Sequence, residues 1–463
     1  MLDRSLTSVL HPFFALMERL LITHAKALVG TFAADVHLVA GAAMQELPMI
    51  EDGWLLVENG RIVGLGQMST VPQVSGDTQE IDATGRYVLS GWCDPHTHTV
   101  FAAPREEEFV DKIKGLSYQD IAAKGGGILN SARKLRVMDE DALFEQAKLR
   151  LEEMMRQGTT AVEIKSGYGL SLESELKMLR VVKRLKETLP LQIKATLLAA
   201  HALPTEFLND RAGYLTLICE TLIPKVAAEG LADFVDVFCE TNYFTVAEME
   251  QVLEAGTRHG LLGKVHVNQF TSIGGIQAAV KHGALSVDHL EVMEAADIEA
   301  MVIGFSDAQR KSTQWVDGTG ADLGGRSYCP IPTLLPSCSF FLRIPYAPAR
   351  QLIDQGLPMA LATDHNPGST PSGNMNLVLS LACIQLRMLP EEAIVAMTLN
   401  AAAAMGSSHE VGSLTVGKRA SVIITKQVPS LAFLPYAFGS DHIDTVLIDG
   451  RPVRSGTAIA PSH

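Results

Sequence analysis

A chain of 463 residues, 47% hydrophobic and 19% charged, has material for a large buried core: about three average domains, or one barrel with a smaller companion. A net charge of −14 argues against a nucleic-acid partner, which needs a basic face. No apolar run reaches the roughly 18 residues that span a bilayer, so no membrane role is expected.

The N-terminal stretch has a short apolar run behind one cation, without a small-residue cleavage site, and does not read as a secretory signal. The first clear element further on is a hairpin: apolar runs flank Asn59-Gly60, a dipeptide suited to a two-residue turn. Strand-like runs follow at 87–94, 159–166, 193–200, 234–240, 264–269, 285–291, 329–336 and 359–364. Helical patterns separate them, such as 139–158 and 245–260, the latter closing on a glycine as a helix C-terminus should. Eight buried runs alternating with helices predict the α/β class and a (β/α)8 TIM-type barrel. An open doubly wound sheet is the alternative, but no GxGxxG follows the first run. Strand-rich segments around a second turn, Asp449-Gly450, close the chain. Each chain end alone is too short to bury a core, so the two are expected to pair into a small β-sandwich domain. The predicted organisation is an extension at 1–16, a composite β domain at 17–86 with 407–463, and a barrel at 87–406. The polar, glycine-rich interval 306–326 is expected to be a surface insertion without catalytic duty. Six cysteines, Cys93, Cys219, Cys239, Cys329, Cys338 and Cys383, form no CxxC pair and read as reduced thiols of a cytoplasmic protein.

Catalytic groups of such barrels gather where strands end. The first run leads to His96 and His98, two apart and therefore on one side of the backbone. Later runs end at Lys165 to Tyr168, His201, Glu240, His266 with Gln269, Asp288 with His289, and Asp364 to Asn366. Two imidazoles from one strand, further histidines at His266 and His289, and the carboxylate of Asp364 make a site suited to Zn²⁺ or Fe²⁺. His201 and His289 have structural alternatives as backbone-bonded histidines, and His365 reads as a space-filler beside Asp364. The remaining eight histidines fall outside the pattern.

These residues resemble the amidohydrolase superfamily. PHTHTVF, EIKSGYGL, HALP, VDHLE, LPSCSFFL and ATDHNPGSTPSGNM narrow the resemblance to the imidazolonepropionase family, over nearly the whole chain from about Leu20. The resemblance implies one divalent metal per chain, zinc or iron (Fe²⁺ or Fe³⁺), held by His96, His98, His266 and Asp364. It implies substrate contacts from Arg105, Tyr168, His201, Asn366, Gly368 and Ser369, with His289 in catalysis. The implied reaction is hydrolysis of 4-imidazolone-5-propanoate to N-formimidoyl-L-glutamate in histidine degradation, by a cytoplasmic enzyme that is a homodimer by analogy. Many members carry a glutamate three residues past the third histidine. Here that residue is Gln269, which can bind substrate in the catalytic site but cannot shuttle a proton, so proton transfer is expected from Asp364 and His289. His365 stands where an aromatic residue is the pattern. Arg105 is followed by Glu106, Glu107 and Glu108, any of which could pair with it. The alternatives are deamination or ring-opening of another heterocycle, a two-metal cyclic amidase using Glu240, and a barrel that only binds its ligand.

Overall fold

The computed structural model describes residues 19–74, 78–116, 126–311, 329–456 and 460–461. The predicted extension at 1–16 lies outside them.

Both chain ends enter one sheet. Its N-terminal strands are β1 (Arg19–Val29), β2 (Met49–Glu58), β3 (Arg61–Gln67), β4 (Thr78–Asp82) and β5 (Tyr87–Ser90). Glu58 pairs with Arg61 across Asn59 and Gly60, whose φ values of 49° and 79° are both positive, as a type I′ turn requires. The C-terminal strands run antiparallel beside them, with β5 as the seam: Leu89 of β5 faces Ile423 of the strand Val422–Thr425. The second predicted turn is also found, Ile448 pairing with Arg451 across Asp449 and Gly450. Strand alternation sends Leu20, Ile22, Leu55, Val57, Ile62, Val88, Val422 and Ile424 into a core of the sheet's own. The opposite residues Ala27, Val29, Leu89, Ile423 and Val446 join the barrel's core, so the sheet is buried on both faces.

The barrel strands are β6 (Trp92–Thr97), β7 (Thr159–Lys165), β8 (Gln192–Ala200), β9 (Phe234–Cys239), β10 (Leu262–Val267), β11 (Ser286–His289), β12 (Ile331–Leu334) and β13 (Ala360–Leu361). Each pairs in parallel with the next. Closure between the last and the first runs through Asp94, which accepts hydrogen bonds from the Thr363 amide (3.0 Å) and hydroxyl (2.6 Å). Beyond it the Asp364 amide donates to the His96 carbonyl (3.0 Å) and the His98 amide to the His365 carbonyl (2.8 Å). The helix Glu140–Arg156 is capped by Asp139, and Val246–Arg258 starts with a reciprocal Thr245–Glu248 capping box.

Two expectations are corrected. The run 87–94 is not one barrel strand: Tyr87–Ser90 belongs to the end sheet and the barrel begins at Trp92. Gly91 is the joint, and a Cβ there would sit 2.2 Å from the Thr160 side chain, so only glycine lets the two sheets meet this closely. The interval 306–326 is not wholly a loop: the helix Ala295–Lys311 runs into it, and 312–326 lies outside the described residues. Among the described residues no helix is long and apolar enough to cross a membrane.

Gly91→Ala is expected to destabilise the fold by about 1–3 kcal/mol through overpacking at this joint. Urea denaturation reads this directly; an unchanged midpoint would mean that the joint has room to spare.

Candidate active site

The barrel interior is charged. Strand alternation turns Glu163 and Lys165 of β7, Asp236 of β9, Lys264 of β10 and Ser286 and Asp288 of β11 into buried contact. The Lys165 ammonium stands 2.9 Å from Asp236, 3.0 Å from Glu163 and 3.6 Å from Asp288. Burial alone would lower its pKa, but Asp236 and then Glu163 overcome this and raise it, so the charge is kept. Lys264 donates to the Ser286 hydroxyl (2.7 Å) and the Ala404 carbonyl (2.9 Å), and Ser286 donates to Asp288 (2.6 Å).

On this base stand the histidines. Asp288 lies 2.7 Å from Nδ1 of His96, and Asp236 lies 2.8 Å from Nδ1 of His266 while also accepting the His266 amide at 3.1 Å. Each carboxylate fixes the proton on Nδ1 and leaves Nε2 as a lone-pair donor facing the barrel mouth. The ring centroids of His96 and His266 are 4.4 Å apart, and His98 lies 5.4 Å from both. Burial holds all three imidazoles well below the ordinary histidine pKa, hence neutral.

Asp364 completes the group. One of its oxygens is 3.6 Å from Nε2 of both His96 and His98, too long for hydrogen bonds and suited to a shared ion. Burial pushes its pKa up to about 6. Nε2 of His96 and Nδ1 of His98 are buried without a hydrogen-bond partner among the described residues. His96, with its orphaned Nε2, stands in two groups of possible ligands, one with His98 and Asp364 and one with His266 and His289, and such a donor set fits a divalent cation. His289 is the next neighbour, 5.2 Å from His266 by ring centroid. Burial opposes its charge, but Glu291, 3.4 Å from Nδ1, raises its pKa. His289 and Asp364 have φ values of 89° and 56°, strained backbone that costs about 1–3 kcal/mol each and is typical of functional positions.

The other predicted residues line the mouth. His201 stacks on His98 (5.4 Å, 16°), and its Nδ1 donates to the Gly167 carbonyl at 3.0 Å, leaving Nε2 as an acceptor. Burial lowers its pKa to about 4. Tyr168 is buried 5.8 Å from His98 and 5.4 Å from His201. Gln269 is buried, its amide 3.5 Å from the Cys338 sulfur. Asn366 shapes its own loop: its amide donates to the Asp364 carbonyl and the Ser369 hydroxyl (2.7 Å each), and its oxygen accepts the Gly368 and Ser369 amides (2.8 Å each). Arg105 packs on Gly368, where a Cβ would meet the guanidinium at 2.3 Å, and it pairs with Glu108 at 2.7 Å. His365 points elsewhere, its ring edge on Phe101 with centroids 6.1 Å apart. Glu240 accepts the Thr241, Phe270 and Thr271 amides at 2.7, 2.8 and 3.1 Å and so holds the loop after β10. The residues that sequence reasoning missed are further supports: Asp236, Glu163, Lys264, Glu291 and Cys338; Asp288 was noted at its strand end, but not as the partner of His96. Two of them carried a signal, standing two positions from a site histidine: Lys264 before His266 and Glu291 after His289; Asp236, Glu163 and Cys338 had no such neighbour.

A parallel barrel with imidazoles and a carboxylate gathered at its strand ends defines a barrel hydrolase, and residues 87–453 match the amidohydrolase family. The imidazolonepropionase of Christiangramia forsetii is 51% identical over 93% of this chain and 99% of its own, and that of Flavobacterium johnsoniae 52% identical over 93% and 99%. That of Geobacillus thermodenitrificans is 40% identical over 94% and 98%. The chain belongs to the imidazolonepropionases within the amidohydrolase family. Solved structures share the fold at low identity. An adenosine deaminase from Xanthomonas campestris with bound zinc has a TM-score of 0.65 at 16% identity, covering 95% of this chain and 94% of its own. The guanine deaminase of E. coli has a TM-score of 0.67 at 14% identity, covering 94% and 99%.

Lys165→Met, which leaves Asp236 and Glu163 unpaired in the interior, is expected to cost about 3–5 kcal/mol of folding stability. Guanidinium denaturation checks it, and a loss under about 1 kcal/mol would contradict the buried ion pairing. Asp236→Ala, which frees the His266 ring, is expected to weaken metal retention about 10- to 100-fold in a chelator competition. Unchanged retention would mean that Asp236 does not orient a ligand.

Proposed function

We propose that this chain hydrolyses the cyclic amide of 4-imidazolone-5-propanoate to N-formimidoyl-L-glutamate, as a cytoplasmic enzyme of histidine breakdown using one divalent metal, zinc or iron. The observation that carries the reading is the loop 364–369, which has the Asp364 carboxylate at one end and the Arg105 guanidinium packed on Gly368 near the other. A reacting centre and a carboxylate-binding group therefore sit a few residues apart, as a small ring with an acidic arm requires. Near-full-length relatives at 38–52% identity bearing the name imidazolonepropionase support it.

His96, His98, His266 and Asp364 would hold the metal. When bound, it supplies a Lewis acid that makes water nucleophilic at neutral pH. The chain's own groups do the rest. The Asp364 oxygen that faces Ser369, 3.5 Å away, takes the proton of the attacking water and passes it to the leaving ring nitrogen. His289, held through Nδ1 by Glu291, donates from Nε2 to the carbonyl oxygen as its negative charge develops. Tyr168 and His201 flank the ring, Gln269 hydrogen-bonds it without moving a proton, and Arg105 takes the carboxylate in a charge-assisted hydrogen bond. Asn366, Gly368 and Ser369 set the loop against which the substrate rests.

The test follows the ultraviolet absorbance of freshly prepared 4-imidazolone-5-propanoate, with the product identified by mass. Loss of absorbance with formation of formimidoylglutamate, abolished by chelator, is expected. Asp364→Ala should lower kcat by at least about 1,000-fold, since it removes the proton carrier and a ligand together. Near-normal kcat in that variant would remove Asp364 from the mechanism, and release of ammonia without the ring-opened product would point to deamination.

A further inference from the structure

The mouth of the site carries a second cation beside Arg105. Lys112 stands in the last turn of the helix Glu106–Ile113, whose first turn follows Arg105. Its Nζ lies 3.4 Å from the Gly368 carbonyl oxygen and 5.8 Å from the centroid of Phe341, which stacks on Phe109 of the same helix at 5.2 Å. Arg105 packs on the same glycine. Both cations thus converge on one residue of the loop that begins with Asp364.

Their partners are unequal. Glu108 takes the Arg105 guanidinium through one oxygen, at 2.9 Å from Nε and 2.7 Å from a terminal nitrogen. Its other oxygen accepts the Gly127 amide at 3.0 Å and the Asn130 side-chain amide at 3.4 Å, so the carboxylate is fully engaged. Lys112 has three donors, yet among the described residues its one hydrogen bond is the long contact to the Gly368 carbonyl, and no carboxylate pairs with it. Half-buried, it is held below the ordinary lysine pKa, first by burial and then by the charge of Arg105. Among the described residues, two cations share the one carboxylate of Glu108 at this corner. A lysine serving only the C-terminal end of its own helix would turn back toward that helix's carbonyls, whereas this one reaches across to another loop.

We propose that Lys112 binds the carboxylate of the substrate's propanoate arm together with Arg105, and thereby sets the enzyme's preference for an anionic substituent on the ring. The assignment rests on the hydrolase reading above. Arg105 offers a planar fork already shared with Glu108, and Lys112 adds a point charge with free donors. Because the carboxylate does not react, the contact is equally strong in ground and transition states; it acts on KM and leaves kcat alone.

Steady-state kinetics of the wild-type chain, Lys112→Met and Lys112→Arg would be measured on 4-imidazolone-5-propanoate and on its uncharged propanamide. Lys112→Met is expected to raise KM for the acid about 10- to 100-fold with kcat within about twofold, as for loss of one hydrogen bond to a charged group. Lys112→Arg should recover most of that loss, and the amide should not distinguish Lys112→Met from wild type. An unchanged KM for the acid, or an equal loss on acid and amide, would overturn the assignment alone. A wild-type chain that hydrolyses neither compound would overturn the hydrolase reading and this assignment with it.

Discussion

Lys165 holds a full positive charge at the base of the barrel mouth, with no exposed surface, between Asp236, Glu163 and Asp288. Of these three carboxylates, Glu163 and Asp236 are pushed by burial above the ordinary carboxylate pKa, and the Lys165 charge works against that rise. Two of the three are also the groups that fix the tautomers of His266 and His96. The ammonium therefore pairs with the supports, the supports set which ring nitrogen is bare, and the bare nitrogens make the site. Lys264, bonded to Ser286 and to the Ala404 carbonyl, ties that same interior to the helix Leu399–Ala404.

Barrel closure serves chemistry as well as stability. Asp94 joins the first strand to Thr363, and the next residue outward is Asp364, whose left-handed backbone turns its carboxylate over His96 and His98. The same device recurs at His289, with a φ of 89° at the end of β11. A strained residue at each of two strand ends is stable only because the closed barrel determines its position. Removing strain there would free the very side chains that the site needs fixed.

Much of this was legible in the chain, for identifiable reasons. Asn59-Gly60 and Asp449-Gly450 announce their hairpins because few other residues accept two positive φ values in succession. The barrel shows as alternating runs, and His96, His98, His266, His289 and Asp364 show as polar residues closing them. Less legible was Gly91, where the strand pattern continues unbroken while the chain passes from one sheet to another. The charged interior was hidden too. Val162-Glu163-Ile164-Lys165 reads as a buried strand, but only its pairing with distant strands shows what its charged side chains meet. Arg105 was read with Glu106, Glu107 and Glu108 as possible partners; helix geometry selects Glu108, three residues on. The helical residues 306–311 were lost to the interval's polar composition.

The proposed reaction requires one divalent ion among His96, His98, His266 and Asp364. X-ray absorption at the metal edge of the purified holoenzyme, with metal content measured on the same sample, tests it most directly. The account predicts about one metal per chain, surrounded by imidazole nitrogen and carboxylate oxygen with no sulfur neighbour. A sulfur in the first coordination shell would contradict it, because the sulfur within reach is that of Cys338, which groups with His289 and Glu291 as a possible ligand and is not one of these four.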